Sequence, residues 1–197
     1  MNSKIINEIY NIFKINSNSK IAVFIRHGER EEGLGSLLTS KGQIQSKIFG
    51  QQLKDIKVPI KIYTSPELRC IQTAEIINNL ISNMNNEIII SNKLGIPGLQ
   101  ILNNEVFQQK YSYFNFNYRN LFSEWKKGLH YDALRDPVSL MNLSNEYLER
   151  TCTSKGITLY VSQSGTIAGI GYALKLVDYD IEKDEWVNNL DGFIIER

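Results

Sequence analysis

The chain has 197 residues, of which 42% are hydrophobic, a length and composition typical of a single globular domain with one substantial core. Its 22 basic and 21 acidic residues give a net charge of +1. This balance excludes the basic surface of a nucleic-acid-binding protein and a polybasic membrane anchor, so we expect neither nucleic acid nor membrane as a partner.

Cysteine usage and apolar runs indicate the compartment. Cys70 and Cys152 lack the spacing of a metal site or a disulfide scaffold, which favours small buried side chains in a reducing environment. Residues 1–20 lack the apolar core and cleavage site of a secretory signal, and no apolar run approaches membrane-spanning length. We therefore expect a cytoplasmic protein.

The first half of the chain alternates between helix-like and strand-like segments. Isoleucines and Phe13 at helical spacing predict an amphipathic helix that ends near residues 16–19, and the apolar run 21–25 predicts a buried strand. Thr39 or Ser40 can cap a second helix, which runs through Gln43, Ile44, Ile48 and Leu53. A strand at 60–63 follows, and Ser65-Pro66 opens a third helix with proline in its first turn.

The alternation continues in the second half. Segments 87–90, 157–161 and 193–195 read as strands, whereas 137–151 and 165–176 read as helices. Strands separated by helices predict an α/β fold with a largely parallel central sheet covered on both faces. We expect residues 1–197 to form one domain, because no repeat, long linker or composition shift divides them.

An aromatic segment interrupts this pattern between residues 107 and 125. It contains Phe107, Tyr111, Tyr113, Phe114, Phe116, Tyr118, Phe122 and Trp125. One interpretation is ordinary core or a helical cap packed over the domain. The alternative is that residues 99–135 form a lid that shapes a substrate pocket, as insertions over the carboxyl ends of strands often do.

Three polar segments follow predicted strands. They are Arg26-His27-Gly28-Glu29, then residues 64–69, and then residues 162–166. The carboxyl ends of parallel strands share one edge of the sheet, so we expect the three segments to meet in one crevice. Helix starts after Ser65 and Ser164 would direct backbone N–H groups toward an anion there.

The chain resembles the histidine phosphatase superfamily, the phosphoglycerate mutase-like proteins. The resemblance rests on Phe24-Ile25-Arg26-His27-Gly28-Glu29, on residues 38–43 and 63–75 (with Ser65-Pro66, Arg69 and Gln72-Thr73-Ala74), and on residues 161–167. The Arg-His-Gly triplet alone is a weak signal, but its combination with the Ser-Pro segment is specific. The resemblance implies a three-layer α/β/α fold.

The resemblance also implies roles for individual residues. His27 would attack phosphorus and become a transient phosphohistidine, while Arg26 and Arg69 hold the phosphate oxygens. Gly28 would let backbone approach the phosphate. No cofactor or metal is implied, because arginines and backbone N–H groups supply the positive charge in this mechanism.

The chain departs from the family pattern at Gln163, where a second histidine is expected. Gln163 and Ser164 would still contact phosphate, but the carboxylate that could protonate a leaving oxygen is missing there and also between residues 92 and 98. The other histidine, His130, lies in an unmatched segment. Glu29 is the nearest substitute acid in sequence and Glu105 a more distant one, although Glu29 could instead pair with Arg30 or Lys41.

Two functions follow from this pattern. The first is a phosphomonoesterase that acts on a small phosphorylated metabolite, weak or specialised because the second histidine and the acid are missing. The second is a non-catalytic protein that binds a phosphorylated ligand, or a pocket recruited to other chemistry. The sequence leaves the substrate and the oligomeric state open.

Overall fold

The computed structural model describes residues 4–33, 35–81 and 87–197. These residues contain five strands and seven α-helices: α1 (Lys4–Ile15), β1 (Lys20–Arg26), α2 (Ser40–Lys54), β2 (Ile60–Thr64), α3 (Leu68–Ile81), β3 (Ile88–Ile90), α4 (Asn104–Tyr113), α5 (Tyr118–Lys126), α6 (Pro137–Thr151), β4 (Gly156–Ser162), α7 (Ser164–Ala173) and β5 (Gly192–Glu196). Two short 3₁₀ turns lie at Asn92–Leu94 and Ile181–Lys183.

The five strands form one sheet in the order β3-β2-β4-β1-β5. The pairs β2–β3, β2–β4 and β1–β4 are parallel, and only β5 runs antiparallel, against β1. Every residue of the central strand β4 is buried, which explains its apolar sequence. The prediction of a mostly parallel sheet is confirmed.

Helices cover both faces of the sheet. On one face α1, α2 and α3 pack Ile9, Leu53 and Ile77 against the aliphatic side chains of the strands. On the other face the strands present rings, with Phe24 stacked on Tyr160 at a centroid distance of 4.4 Å. Helices α4 to α7 cover these rings. The three-layer α/β/α architecture predicted from the resemblance is therefore present.

The buried face of α2 differs from the one that the sequence suggested. Ile44 and Ile48 are 56% and 49% exposed, while Phe49 and Leu53 are buried. The reason is close helix packing, because a methyl group at Gly50 would lie 3.1 Å from Ile77 Cα in α3. Small residues bring the two helices together and leave the isoleucines outside.

Helix α7 is shorter than predicted. It ends at Ala173 rather than near Leu176 because Lys175 adopts a left-handed conformation (φ 60°). The N–H of Leu176 then donates to Gly171 O at 2.9 Å, which closes the helix in a Schellman arrangement.

The two cysteines and the helices bear on the expected environment of the protein. Cys70 and Cys152 are both buried free thiols, and burial raises the pKa of Cys70 to about 12. Within the described parts of the chain, none of the helices combines the length and apolar character that crossing a bilayer requires.

Candidate active site

The candidate site lies at the carboxyl ends of three neighbouring strands. Arg26 ends β1 and is followed by His27, Arg69 lies in the first turn of α3 just after β2, and Gln163 follows β4. Because β2, β4 and β1 are adjacent, their ends form a crevice where connections leave the sheet in different directions. These residues and Ser164 line one cavity of about 450 Å³.

His27 is held rigidly in the wall of this cavity and is only 3% exposed. Its backbone N–H donates to Ser162 O at 3.0 Å, and its carbonyl accepts from Asn189 Nδ2 at 2.9 Å. The ring Nδ1 lies 2.6 Å from Gly28 O, which can only accept a hydrogen bond, so Nδ1 carries the proton. The lone pair is therefore on Nε2, which accepts from Arg69 Nε at 3.1 Å.

The surroundings keep the His27 imidazole neutral. Burial lowers its pKa to about 3, although the hydrogen bond to Gly28 acts in the opposite direction. Positive charges on Arg69, Arg26 and Arg30 lower this pKa further. Near neutral pH the ring thus keeps the free electron pair that a nucleophile needs.

Three guanidinium groups concentrate positive charge in the cavity. Arg69 Nη2 donates to Gln163 Oε1 at 2.8 Å, and Arg26 Nη1 donates to Val187 O at 2.8 Å. Arg30 also lines the cavity. Burial lowers the pKa of Arg26, and the charges of Arg30, Arg119 and Arg69 lower it as well. An anion in the cavity would offset both the free-energy cost of burying the Arg26 charge and the repulsion between the guanidinium groups.

Two buried donors of these residues have no hydrogen-bond partner among the described residues. They are Arg26 Nε and Gln163 Nε2. Gln163 is the N-cap residue of α7, yet its side chain makes no capping bond and points to Arg69 instead. Ser164 and Gly165, at the start of α7, line the same cavity. Unpaired donors and a helix N-terminus together suit an anion.

Gly28 and Glu29 follow His27 in the chain, but neither of them lines the cavity. A methyl group at Gly28 would lie 2.6 Å from Gly42 O in α2, so the glycine permits close packing of that helix. Glu29 pairs with Lys41 Nζ at 2.6 Å and accepts from Thr39 Oγ1 at 3.2 Å. The hydrogen bond to Lys41 lowers the pKa of Glu29, which keeps it ionised.

Part of the cavity wall is aromatic. Phe107, Tyr111 and Tyr118 line it, and the Tyr118 ring packs so tightly over α7 that a methyl group at Gly165 would lie 2.9 Å from it. Residues 99–135 thus supply one wall of the cavity as well as core side chains. His130 is elsewhere and pairs with Glu124 Oε2 at 2.6 Å. Glu105 is exposed and does not line the cavity.

Two polar lining residues were missed by the sequence analysis. Glu67 and Gln100 both reach the cavity, and each has a buried side-chain atom without a partner in the described chain. Glu67 lies inside the recognised Ser-Pro segment, but a motif gives no side-chain direction. Gln100 follows the loop of Gly95, Pro97 and Gly98, and no periodic pattern marks it.

Comparisons with known proteins concern the family and the fold. Residues 22–94 match the model of the histidine phosphatase superfamily, branch 1. No curated protein matches the chain. Among solved structures, a phosphoglycerate mutase from Bacillus anthracis is 17% identical with a TM-score of 0.58, covering 93% of this chain and 90% of that one.

Two mycobacterial structures have the same fold. A glucosyl-3-phosphoglycerate phosphatase is 16% identical with a TM-score of 0.54, covering 81% of each chain. A protein described as mycobacterial hydrolase 1 is 14% identical with a TM-score of 0.58, covering 90% of this chain and 92% of that one. The family match over residues 22–94 and the shared fold confirm the predicted resemblance of this chain to the histidine phosphatase superfamily.

Proposed function

We propose that the protein is a phosphohydrolase that removes phosphate from a small phosphorylated metabolite through a phosphohistidine on His27. The observation that carries this proposal is the state of that side chain. Its Nε2 is unprotonated and lies at hydrogen-bond distance from Arg69, in a cavity with two further arginines. A fixed neutral imidazole beside clustered guanidinium groups suits in-line attack on phosphorus.

The reaction would proceed in two steps. His27 Nε2 forms a bond to phosphorus while the bond to the leaving oxygen breaks, and Arg26 and Arg69 stabilise the charge on the equatorial oxygens. The hydrogen bond from Nδ1–H to Gly28 O supports the positive charge that develops on the ring. Water then attacks phosphorus, which releases phosphate and returns the electron pair to Nε2.

Gln163 would be a neutral phosphate ligand at the position of the expected second histidine. Its Nε2 is a buried donor without a partner in the described residues, so a phosphate oxygen would satisfy it. A hydrogen bond to a charged group contributes about 1.5–3 kcal/mol, against about 1 kcal/mol for a neutral pair. Loss of the cation therefore predicts turnover that is about 2–30-fold below that of a two-histidine site.

The dimensions and walls of the cavity suit a small substrate. The cavity volume of about 450 Å³ has room for a phosphoryl group and a compact leaving group against Phe107, Tyr111 and Tyr118. The similar mycobacterial protein is a phosphatase of a small phosphorylated compound by its name. We expect hydrolysis rather than mutase activity, since reversible transfer needs an acid at the positions where this chain has none.

Phosphate release from p-nitrophenyl phosphate and from a panel of sugar, nucleotide and amino-acid phosphates tests the proposal. Wild-type protein should release phosphate, and His27→Ala should release none. Gln163→His should raise turnover about 2–30-fold by restoring a cationic ligand. A wild type without turnover on every substrate, with turnover gained in Gln163→His, would overturn the hydrolase function.

The alternative is a non-catalytic protein that binds a phosphorylated ligand. One contact favours it, because Gln163 Oε1 accepts a hydrogen bond from Arg69 Nη2, a donor that a substrate phosphate would otherwise use. Gln163 is also neutral, whereas the histidine expected at this position can ionise. In that case wild type would bind inorganic phosphate in a calorimetric titration but hydrolyse nothing, and His27→Ala would bind phosphate as tightly as wild type does.

A further inference from the structure

Glu67 is a carboxylate in the wall of the cavity that the mechanism above leaves without a role. It lies between β2 and α3, and its backbone carbonyl accepts from Cys70 N at 2.8 Å at the start of that helix. Its side chain lines the same cavity as His27, Arg69 and Gln163. This hydrogen bond ties the backbone of Glu67 to the first turn of α3, which also carries Arg69, the residue that contacts His27.

One oxygen of the half-buried Glu67 carboxylate is shielded from solvent and unpaired in the described chain. That oxygen, Oε2, accepts no hydrogen bond from the described residues, and Glu67 makes no ion pair within the described part of the chain. Glu29, by comparison, is held by Lys41 and Thr39. A buried carboxylate oxygen without a donor is costly, which points to a partner that arrives with the substrate.

The neighbouring loop leaves room for this side chain. A methyl group at Gly95 would lie 2.7 Å from Pro66 Cδ and 3.3 Å from Glu67 Oε1. The loop from Asn92 to Gly98 contains no acid of its own. The carboxylate thus lies against the segment where the resemblance to the family led us to look for a proton donor.

We propose that Glu67 is the general acid of the reaction, an inference that rests on the proposed hydrolase function. As the bond between phosphorus and the leaving oxygen breaks, its electron pair goes to that oxygen, which takes the proton of the Glu67 carboxyl. In the second step the attacking water gives a proton to the Glu67 carboxylate.

A leaving-group comparison tests the proposal. An alkyl phosphate needs a proton on its leaving oxygen, whereas p-nitrophenolate leaves without one. We expect Glu67→Gln, which keeps the size of the side chain, to lower kcat for glycerol 3-phosphate, or for the best alkyl phosphate of the panel, about 10²–10³-fold. For p-nitrophenyl phosphate the loss should stay below about threefold. Glu75→Gln, an exposed position on α3, is the matched control and should change neither value.

The outcomes separate the acid from the hydrolase. Equal losses on both substrates, no loss in Glu67→Gln, or wild-type turnover of p-nitrophenyl phosphate alone would overturn the acid role and leave the hydrolase standing. Absence of wild-type turnover on both substrates would overturn the hydrolase and the acid with it. If Glu67→Gln does not fold, Glu67→Asp replaces it, and its alkyl-phosphate turnover should again fall more than its p-nitrophenyl phosphate turnover.

Discussion

The floor of the cavity, formed by Arg26, His27, Arg69 and Gln163, and the aromatic core of the adjacent helices differ in how their buried polar atoms are satisfied. The aromatic core comprises Phe122 and Trp125, both buried beside Leu121, and the indole N–H of Trp125 donates to Arg135 O at 2.8 Å. The floor leaves Arg26 Nε and Gln163 Nε2 unpaired in the described structure. Burial without pairing distinguishes a binding surface from a packing surface.

Substitution in the aromatic core should give the largest effect on stability. Trp125→Ala removes a fully buried ring that contacts Phe122 and Tyr172, and should lower the free energy of unfolding by about 3–5 kcal/mol. Urea denaturation measures this loss. Tyr113→Ala, at an 80% exposed aromatic position of α4, is the control and should change stability little. A folded Trp125→Ala protein should keep its kcat. A large fall in kcat would contradict the distinction between a core that stabilises the fold and a floor that carries the chemistry.

Substitution in the floor should change chemistry instead. Arg69→Ala removes the donor to His27 Nε2 and Gln163 Oε1 together with the charge that would stabilise the phosphate oxygens. We expect kcat/KM to fall about 10²–10³-fold, while stability changes less because repulsion with Arg26 is relieved. Steady-state kinetics test this, with exposed Arg150→Ala as the control. A loss below tenfold would remove Arg69 from the site.

Acid should destabilise the protein through the floor. The pKa of His27 is about 3 in the folded chain against an ordinary 6.5, so below pH 6.5 the unfolded chain takes up a proton that the folded chain does not. The contribution of neutral His27 is therefore complete above pH 6.5 and is lost as pH falls toward 3, at up to about 1.4 kcal/mol per pH unit.

Urea denaturation between pH 7 and pH 4 measures this dependence. His27→Gln should lose less stability than wild type over that interval. Because the chain has only two histidines, NMR can follow His27 directly, and its ring should remain neutral at pH 5. Parallel stability curves for the two proteins would contradict the assignment of a buried neutral imidazole.

The sequence predicted the floor better than it predicted the walls. His27 and Arg69 are 42 residues apart in the chain, but each follows a strand, and parallel strand ends meet by topology alone. The direction of Glu67 depends on how the Gly95 loop returns against Pro66, and the outward direction of Glu29 depends on Lys41. Such contacts between segments have no signature in a single sequence, and the tautomer of His27 likewise depends on a backbone carbonyl.

Substitution of Glu29 should have the smallest effect on kcat. It tests whether the acid is the carboxylate nearest to His27 in the sequence or the one that lines the cavity. Glu29 is two residues from the nucleophile in sequence, but it does not line the cavity, and Lys41 lowers its pKa so that it carries no proton to give near neutral pH. Glu29→Gln should therefore change kcat for alkyl phosphates by less than about threefold, whereas removal of a general acid costs about 10²–10⁴-fold. The same assay that tests Glu67→Gln measures it. A larger loss in Glu29→Gln than in Glu67→Gln would return the acid role to the residue nearest in sequence and show that the cavity rearranges when substrate binds.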